Sequence, residues 1–293
     1  PTKVFLEVDP KDLLYEQNMA KGCQQVLEAF LHDFPLAFTD HLEPSTFIDS
    51  EPVTIHVKEG AKPVAKVVPF PYPKGREQQC LALENELLTS TVIVRWDLPS
   101  PWVHQGFHVA KGESATRLVV DLRDLNLSSQ RLGYPFSSSI DIFREVPAEA
   151  RVFLSFDLLH AFFQVRVKEE DWQFLVFILP SGKYAFTRLT QWGLNSGDHL
   201  NIKSRCLLVG LSSAMKIIDD VALHGMSLQE AYLKGAKLLL NAIQGNWRFS
   251  RRKAQVSKAI DFCVLHLEST RQGTVKVSPT EGRLEDLKLM ETP

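Results

Sequence analysis

Asp219 and Asp220 stand side by side between two apolar runs, Met215-Lys216-Ile217-Ile218 and Val221-Ala222-Leu223-His224-Gly225. β-Branched residues on both sides of a two-residue acidic break predict strand, tight turn, strand, with two carboxylates at the tip. Neighbouring like charges are costly unless a cation lies between them or water surrounds them. An isolated Asp-Asp therefore also reads as a solvated turn. A second stretch, Phe153 to Gln164, argues for more, because Asp157 closes an apolar strand and Phe162 and Phe163 follow it. If the two strands are neighbours in one sheet, three carboxylates converge. Carboxylates without Cys or His ligands suit hard divalent cations, Mg²⁺ or Mn²⁺. Two such ions about 3.5–4 Å apart activate an attacking hydroxyl and stabilise a leaving pyrophosphate. Phosphoryl transfer of that kind needs positioning and charge neutralisation, not a nucleophilic side chain. Accordingly, the sequence holds no convincing Ser/His/Asp or Cys/His arrangement, no G-x-G-x-x-G and no P-loop.

Positive charge is available to meet a polyphosphate. Trp102 to Ala110 and Thr116 to Leu122 alternate as the strands of a hairpin, joined by Lys111-Gly112-Glu113-Ser114. Lys111 and Arg117 each read singly as solvated surface charges. Together, on a hairpin preceding an acidic site, they suit a triphosphate. Phe162, a helical turn beyond Asp157, is either a core residue or a ring that closes off a sugar 2′ position. Arg248, Arg251, Arg252, Lys253 and Lys258, interleaved with Trp247 and Phe249, read as a solvated helix start or as a phosphate-tracking surface.

The rest of the chain must position these groups. Its 293 residues, 44% hydrophobic and 23% charged, are ordinary globular material able to bury a sizeable core in roughly two subdomains. A net charge of −2 leaves nucleic acid open as a partner, since local patches outweigh totals. No run of about 18 apolar residues occurs, so no membrane partner is expected. Cys23, Cys80, Cys206 and Cys263 form no C-x-x-C, which fits a reduced, intracellular protein with structural thiols and no zinc site. A start at Pro1, with neither Met nor a signal pattern, reads as a piece of something longer.

Apolar spacing predicts a helix between Asp9 and Pro44, ending near Phe34-Pro35, and another over 75–90. Between them, Thr54 to Val57 reads as a short strand, and Pro63, Pro69, Pro71 and Pro73 impose an extended connector. Arg123 to Asn126 is a polar break. A helix over 140–146, capped by Ser138 or Ser139, precedes the Asp157 strand, and a short helix starts at Leu158. A hairpin over 174–186 turns at Pro180 to Lys183. Helices are expected over 193–208 and 228–243, then strands over 262–267 and 274–277. This mixture lacks strict βαβ alternation, so an α+β fold fits, an antiparallel sheet with helices on one face.

Jointly, these motifs resemble the reverse transcriptase region of a gypsy-type LTR retrotransposon Pol polyprotein. Asp157, Phe162 and Gln164 match the family's first palm motif, and Ile217-Ile218-Asp219-Asp220 is similar to its Y-x-D-D motif, with Ile217 at the aromatic position. Arg117 to Asn126 resembles the fingers strand ending in Leu-Asn, Tyr134-Pro135-Phe136 the segment after it, and Phe262 to Leu267 with Val275 to Pro279 the primer-grip hairpin. The second palm motif departs from the family's Pro-x-Gly: Gln191 is either the nucleotide-contacting Gln of some members or replaces the Pro, which would set Trp192 beside the nucleotide.

The resemblance implies a right-hand polymerase fold of fingers and palm. Residues 1–50 would be an N-terminal segment or linker, 51–133 and 164–190 fingers, and 134–163 and 191–293 palm with the primer-grip region, the thumb largely absent. Asp157, Asp219 and Asp220 would hold Mg²⁺ or Mn²⁺, and Lys111, Arg117, Ala161, Phe162 and Gln191 would contact the incoming nucleotide. The implied activity is RNA-directed DNA polymerisation, a nucleotidyl transfer of dNTPs onto an RNA/DNA template-primer, in continuity with protease, ribonuclease H and integrase regions of a polyprotein. Its implied location is an intracellular particle and the nucleus. The competing expectation is a non-catalytic relic that keeps the fold and binds nucleic acid.

Overall fold

In the computed structural model the described residues are 3–5, 7–112, 115–135, 146–212 and 214–280. In chain order the elements are α1 (Tyr15–Asp33), β1 (Phe38–Thr39), α2 (Glu77–Thr89), β2 (Ile93–Arg95), β3 (His104–Lys111), β4 (Ala115–Asp121) and α3 (Arg123–Ser128). Then come β5 (Val152–Asp157), β6 (Val176–Leu179), β7 (Gly182–Phe186), α4 (Ser196–Ser204), β8 (Met215–Ile217), β9 (Asp220–Gly225) and α5 (Leu228–Gln244). Short strands finish the chain: β10 (Phe249–Ser250), β11 (Gln255–Ser257), β12 (Ala259–Phe262), β13 (Leu265–Ser269) and β14 (Val275–Pro279). The chain divides into two compact units. Unit 1 is Pro1–Asp40, Phe136–Leu159 and Ser204–Pro293; unit 2 is His41–Pro135 and His160–Lys203.

Unit 1 is built on a four-stranded antiparallel sheet in the order β11-β5-β9-β8. β5 is central, and its residues Val152, Phe153, Leu154 and Phe156 are fully buried, as a strand covered on both faces requires. α5 packs on β5 and β9, and α1 packs on β11 and α5. Ser227 caps α5 by accepting the Glu230 amide (3.2 Å), while the Glu230 carboxylate reaches back to the Met226 amide (2.8 Å). Between α1, α5 and the sheet, Phe30 stacks on Tyr232 and meets Phe156 edge-on. Gly235 permits that approach, since a Cβ there would lie 2.3 Å from the Phe30 ring. A second sheet, β12-β13-β14, packs through Ile260, Phe262 and Leu267 against Phe153, Met215 and Ala222. Residues 15–33, within the expected N-terminal segment or linker, are part of a packed layer.

Unit 2 holds a five-stranded sheet in the order β2-β7-β6-β3-β4. The pairing of β3 with β6 is parallel and the others are antiparallel. β3 carries three buried polar side chains, His104, Gln105 and His108. The Gln105 amide, in the orientation that satisfies both its ends, donates to the Val68 carbonyl and accepts from the Phe70 amide, each at 3.0 Å. It completes a zipper begun by backbone bonds from Lys66 to Val103 and from Val103 to Val64 (2.8 and 3.0 Å). This zipper fastens the proline-rich connector to the sheet.

Several local expectations are corrected. Thr54 to Val57 forms only isolated bridges at Val53 and Val57, because it lies outside every ladder. Arg123 to Asn126 is not a break but opens α3. The helix expected over 193–208 has its α-helical part at Ser196–Ser204 and tightens to a 3₁₀ turn at Arg205–Leu208; Ala161–Gln164 is also 3₁₀. The strand expected over 262–267 turns at Cys263, which has φ +57°. Of the helix expected over 140–146, residues 140–145 lie outside the described residues.

Candidate active site

The acidic site stands at one end of the unit 1 sheet. Asp157, the last residue of β5, pairs directly across the ladder with Asp220, the first residue of β9. Asp220 pairs on its other side with Ile217, so the turn between β8 and β9 consists of Ile218 and Asp219, one residue earlier than the sequence pattern predicts. The Leu158 amide donates to the Asp219 carbonyl (2.9 Å), tying the turn to the end of β5. All three acids therefore converge, and the sheet register is the cause.

Crowding shows in their protonation. Burial, then repulsion from Asp219 and Asp157, pushes the Asp220 carboxyl up to about 6. Asp219 is raised too, chiefly by burial, with Asp157 adding repulsion. The Cys263 thiol is pushed up to about 11 by burial and by the charges of Asp220 and Asp219, which places the β12–β13 turn in the same electrostatic neighbourhood. Asp157 is engaged by Lys253, whose ammonium donates to Oδ2 at 2.8 Å. Among the described residues no group of three His, Cys, Asp or Glu side chains is disposed to hold a metal ion. The donor chemistry nevertheless fits a hard cation, with all-oxygen ligands and carboxyls whose charged forms are disfavoured by burial and by their neighbours.

The basic patch of the sequence is not a helix start. It spans β10, a turn and β11, and three of its five charges are in ion pairs: Arg252 to Asp40 (3.4 Å), Lys253 to Asp157 and Lys258 to Glu16 (2.5 Å). Lys253 is the site residue that sequence reasoning passed over. Its membership of that patch was the only signal, and only the β11–β5 pairing reveals its target.

Unit 2 gathers a different set. Lys111, Arg117 and Gln191 line one cavity of about 160 Å³, together with Glu86, His160 and Phe163. Lys111 and Arg117 come from β3 and β4, at positions that are not register partners: Lys111 pairs with Ala115, and Arg117 with Val109. His160 has a left-handed backbone (φ +44°) and stacks on Phe163 at 6.0 Å; no sequence signal marked it. Ala161 is buried, Phe162 is half-buried, and neither belongs to the cavity lining. Trp192 does not line it either. That ring, 58% exposed, borders a separate cleft with Phe70, Phe107 and Arg123. Asn126 holds the turn that carries it, donating to the Trp192 carbonyl and accepting from the Leu194 amide, both at 2.8 Å.

Two interrupted units, one bearing carboxylates on paired strands and the other a basic cavity, make up a mixed α+β architecture found in viral reverse transcriptases. The chain superimposes on the foamy viral protease-reverse transcriptase solved with double-stranded DNA (TM-score 0.80, 15% identity, 100% of this chain and 51% of that one). The same protein solved with an RNA/DNA hybrid gives a TM-score of 0.79 at 15% identity, covering 100% of this chain and 39% of that one. The fold is thus that of a reverse transcriptase polymerase region.

In sequence the chain is similar to retroelement Pol polyproteins. It is 28% identical over 171 residues to the retrovirus-related Pol polyprotein from transposon opus of Drosophila melanogaster (57% of this chain, 17% of that protein). It is 25% identical over 266 residues to the Gag-Pol polyprotein of Feline leukemia virus (86% and 15%). The chain spans less than a fifth of either relative. No family model matches it.

Proposed function

We propose that this chain is the fingers-and-palm core of an RNA-directed DNA polymerase from a gypsy-type LTR retroelement, with unit 1 as palm and unit 2 as fingers. The observation that carries the reading is the direct pairing of Asp157 with Asp220 across β5 and β9, with Asp219 at the adjoining turn, in a reverse transcriptase fold. Asp157, Asp219 and Asp220 would hold Mg²⁺ or Mn²⁺. Such ions, when bound, supply activation of the primer 3′-hydroxyl and neutralisation of the leaving pyrophosphate. The chain's own groups do the rest. Lys111 and Arg117 bind the triphosphate of a dNTP. Gln191 seats the nucleotide, and Phe162, with Ala161 before it, closes the sugar 2′ side. Lys253 neutralises Asp157 until a metal ion competes for it. The likeness to a protein solved with double-stranded DNA and with an RNA/DNA hybrid supports template-primer as the partner.

Primer extension on an RNA template with Mg²⁺ and dNTPs, with Asp219→Asn alongside, tests this. Extension by the wild type that vanishes in the variant is the expected result. Template-primer binding by folded protein, with no extension either by this chain or by one continued into its native downstream sequence, would identify a relic binding module instead.

A further inference from the structure

We propose that Lys216 is a positioning residue that locks the acidic turn, an inference that rests on the polymerase reading of that turn. The register leaves two residues, Ile218 and Asp219, to connect β8 to β9. Two-residue hairpin turns that need positive φ at the first central position favour Gly there. Here that position is Ile218, a β-branched residue at φ +52°. Its side chain is 38% exposed, so little packing holds it in place. A non-glycine residue persists in this region only where its surroundings over-determine it.

Two hydrogen bonds supply that determination, one on each side of Asp219. The Leu158 amide holds the Asp219 carbonyl at 2.9 Å. The Lys216 ammonium folds along its own strand to the Ile218 carbonyl, also at 2.9 Å. The peptide planes before and after Asp219 are therefore both fixed. β8 is the edge strand of its sheet and only three residues long, so the ladder itself restrains this end weakly. Without the Lys216 bond, the Ile218–Asp219 peptide is free to rotate toward an unstrained conformation. The Asp219 carboxylate would then shift relative to Asp157 and Asp220, and displacements of about 1 Å in a reacting constellation cost up to about 100-fold in rate.

The test compares wild type, Lys216→Met (aliphatic stem kept, donor removed), Lys216→Arg (donor restored) and Lys216→Met combined with Ile218→Gly, which needs no clamp because glycine adopts positive φ freely. Amide hydrogen exchange over residues 217–220 is measured on metal-free protein, and kcat and KM for dTTP are measured in primer extension. Lys216→Met should speed exchange in this segment alone by about 10-fold and lower kcat by about 10-fold, with KM within about 2-fold. Arginine and the glycine double variant should each recover most of both. Unchanged exchange and kcat in Lys216→Met overturn the proposal, as does a double variant no better than the single one. Extension that survives Asp219→Asn removes the polymerase reading instead; the exchange data then decide the clamp alone, and unchanged exchange rejects it.

Discussion

The two units hold their charges in opposite ways. At the acidic end of unit 1, antiparallel register sets Asp157 opposite Asp220 and leaves Asp219 in the adjoining turn. Burial there disfavours the charged forms, repulsion between the neighbouring acids adds to it, and the carboxyl pKa values of Asp219 and Asp220 are raised. In unit 2, Lys111 and Arg117 lie on neighbouring strands out of register, both exposed, and they meet only at the wall of an open cavity. Under the proposed function the first set would hold ions and the second would take the triphosphate of each nucleotide in turn.

Substitutions should separate the two sets by size of effect. Asp157→Asn, Asp219→Asn or Asp220→Asn should each lower primer-extension kcat by about 1,000-fold or more, because an in-line displacement loses its charge neutralisation. Lys111→Ala or Arg117→Ala should act mainly on KM for dNTP, raising it about 10-fold by loss of a charge-assisted contact, with kcat less affected. A residual rate in either basic variant as low as that of the Asp variants would erase the distinction between the units.

Smaller effects concern stability. Mg²⁺ in the millimolar range should raise the melting temperature of the wild type and not of Asp219→Asn, since only the native acid cluster binds the ion. In metal-free protein, Asp220→Asn should be stabilising by about 1 kcal/mol in denaturant titration at pH 7.5, because burial and then Asp219 and Asp157 disfavour the ionised carboxyl, an effect that solvent screening reduces at this half-buried site.

The units should also respond oppositely to acid. Asp219 and Asp220 have folded-state values above the ordinary carboxylate range, so their contribution is full at low pH and fades as pH rises through those values, about 6 for Asp220. His104, His108 and His199 of unit 2 are held below the ordinary histidine value, chiefly by burial. Their contribution is present above about pH 6.5 and is lost as pH falls through the folded-state values. His108 is the sharpest probe. Both ring nitrogens lack hydrogen-bond partners, and Glu84 lies 3.6 Å away. His108→Leu should flatten the loss of urea stability between pH 7.5 and 5; an unchanged slope would assign that loss to the other histidines.

How much of this was legible beforehand depended on whether the signal was local. The Asp157 strand, the hairpin bearing Lys111 and Arg117, and helices α1, α2 and α5 are visible as apolar periodicity, and the structure has them within a few residues of expectation. The turn position was missed because Asp-Asp is better turn chemistry than Ile-Asp; the β5–β9 ladder overrode local preference and pulled Asp220 into the strand. The roles of Lys253, legible only as one member of a basic run, and of His160 were hidden for another reason. Each acts through residues brought near by long-range pairing or by a single left-handed backbone, and neither leaves a spacing to read. Trp192 was weighed as an intruder beside the nucleotide, whereas its ring borders another cleft, in a turn that Asn126 holds.

The interruption of each unit by the other has a consequence for synthesis. Unit 2 is complete once Lys203 has been made, and its sheet can form on the ribosome. Unit 1 begins with α1 yet cannot close its sheet until Ser257, because β5 lies between β9 and β11. The apolar strand ending in Asp157 must therefore wait unpaired until β9 has been made, and its other edge stays open until β11. Nascent chains halted between Lys203 and Gly225 would carry a folded unit 2 and an aggregation-prone, unfinished unit 1, so the acidic site is assembled after unit 2.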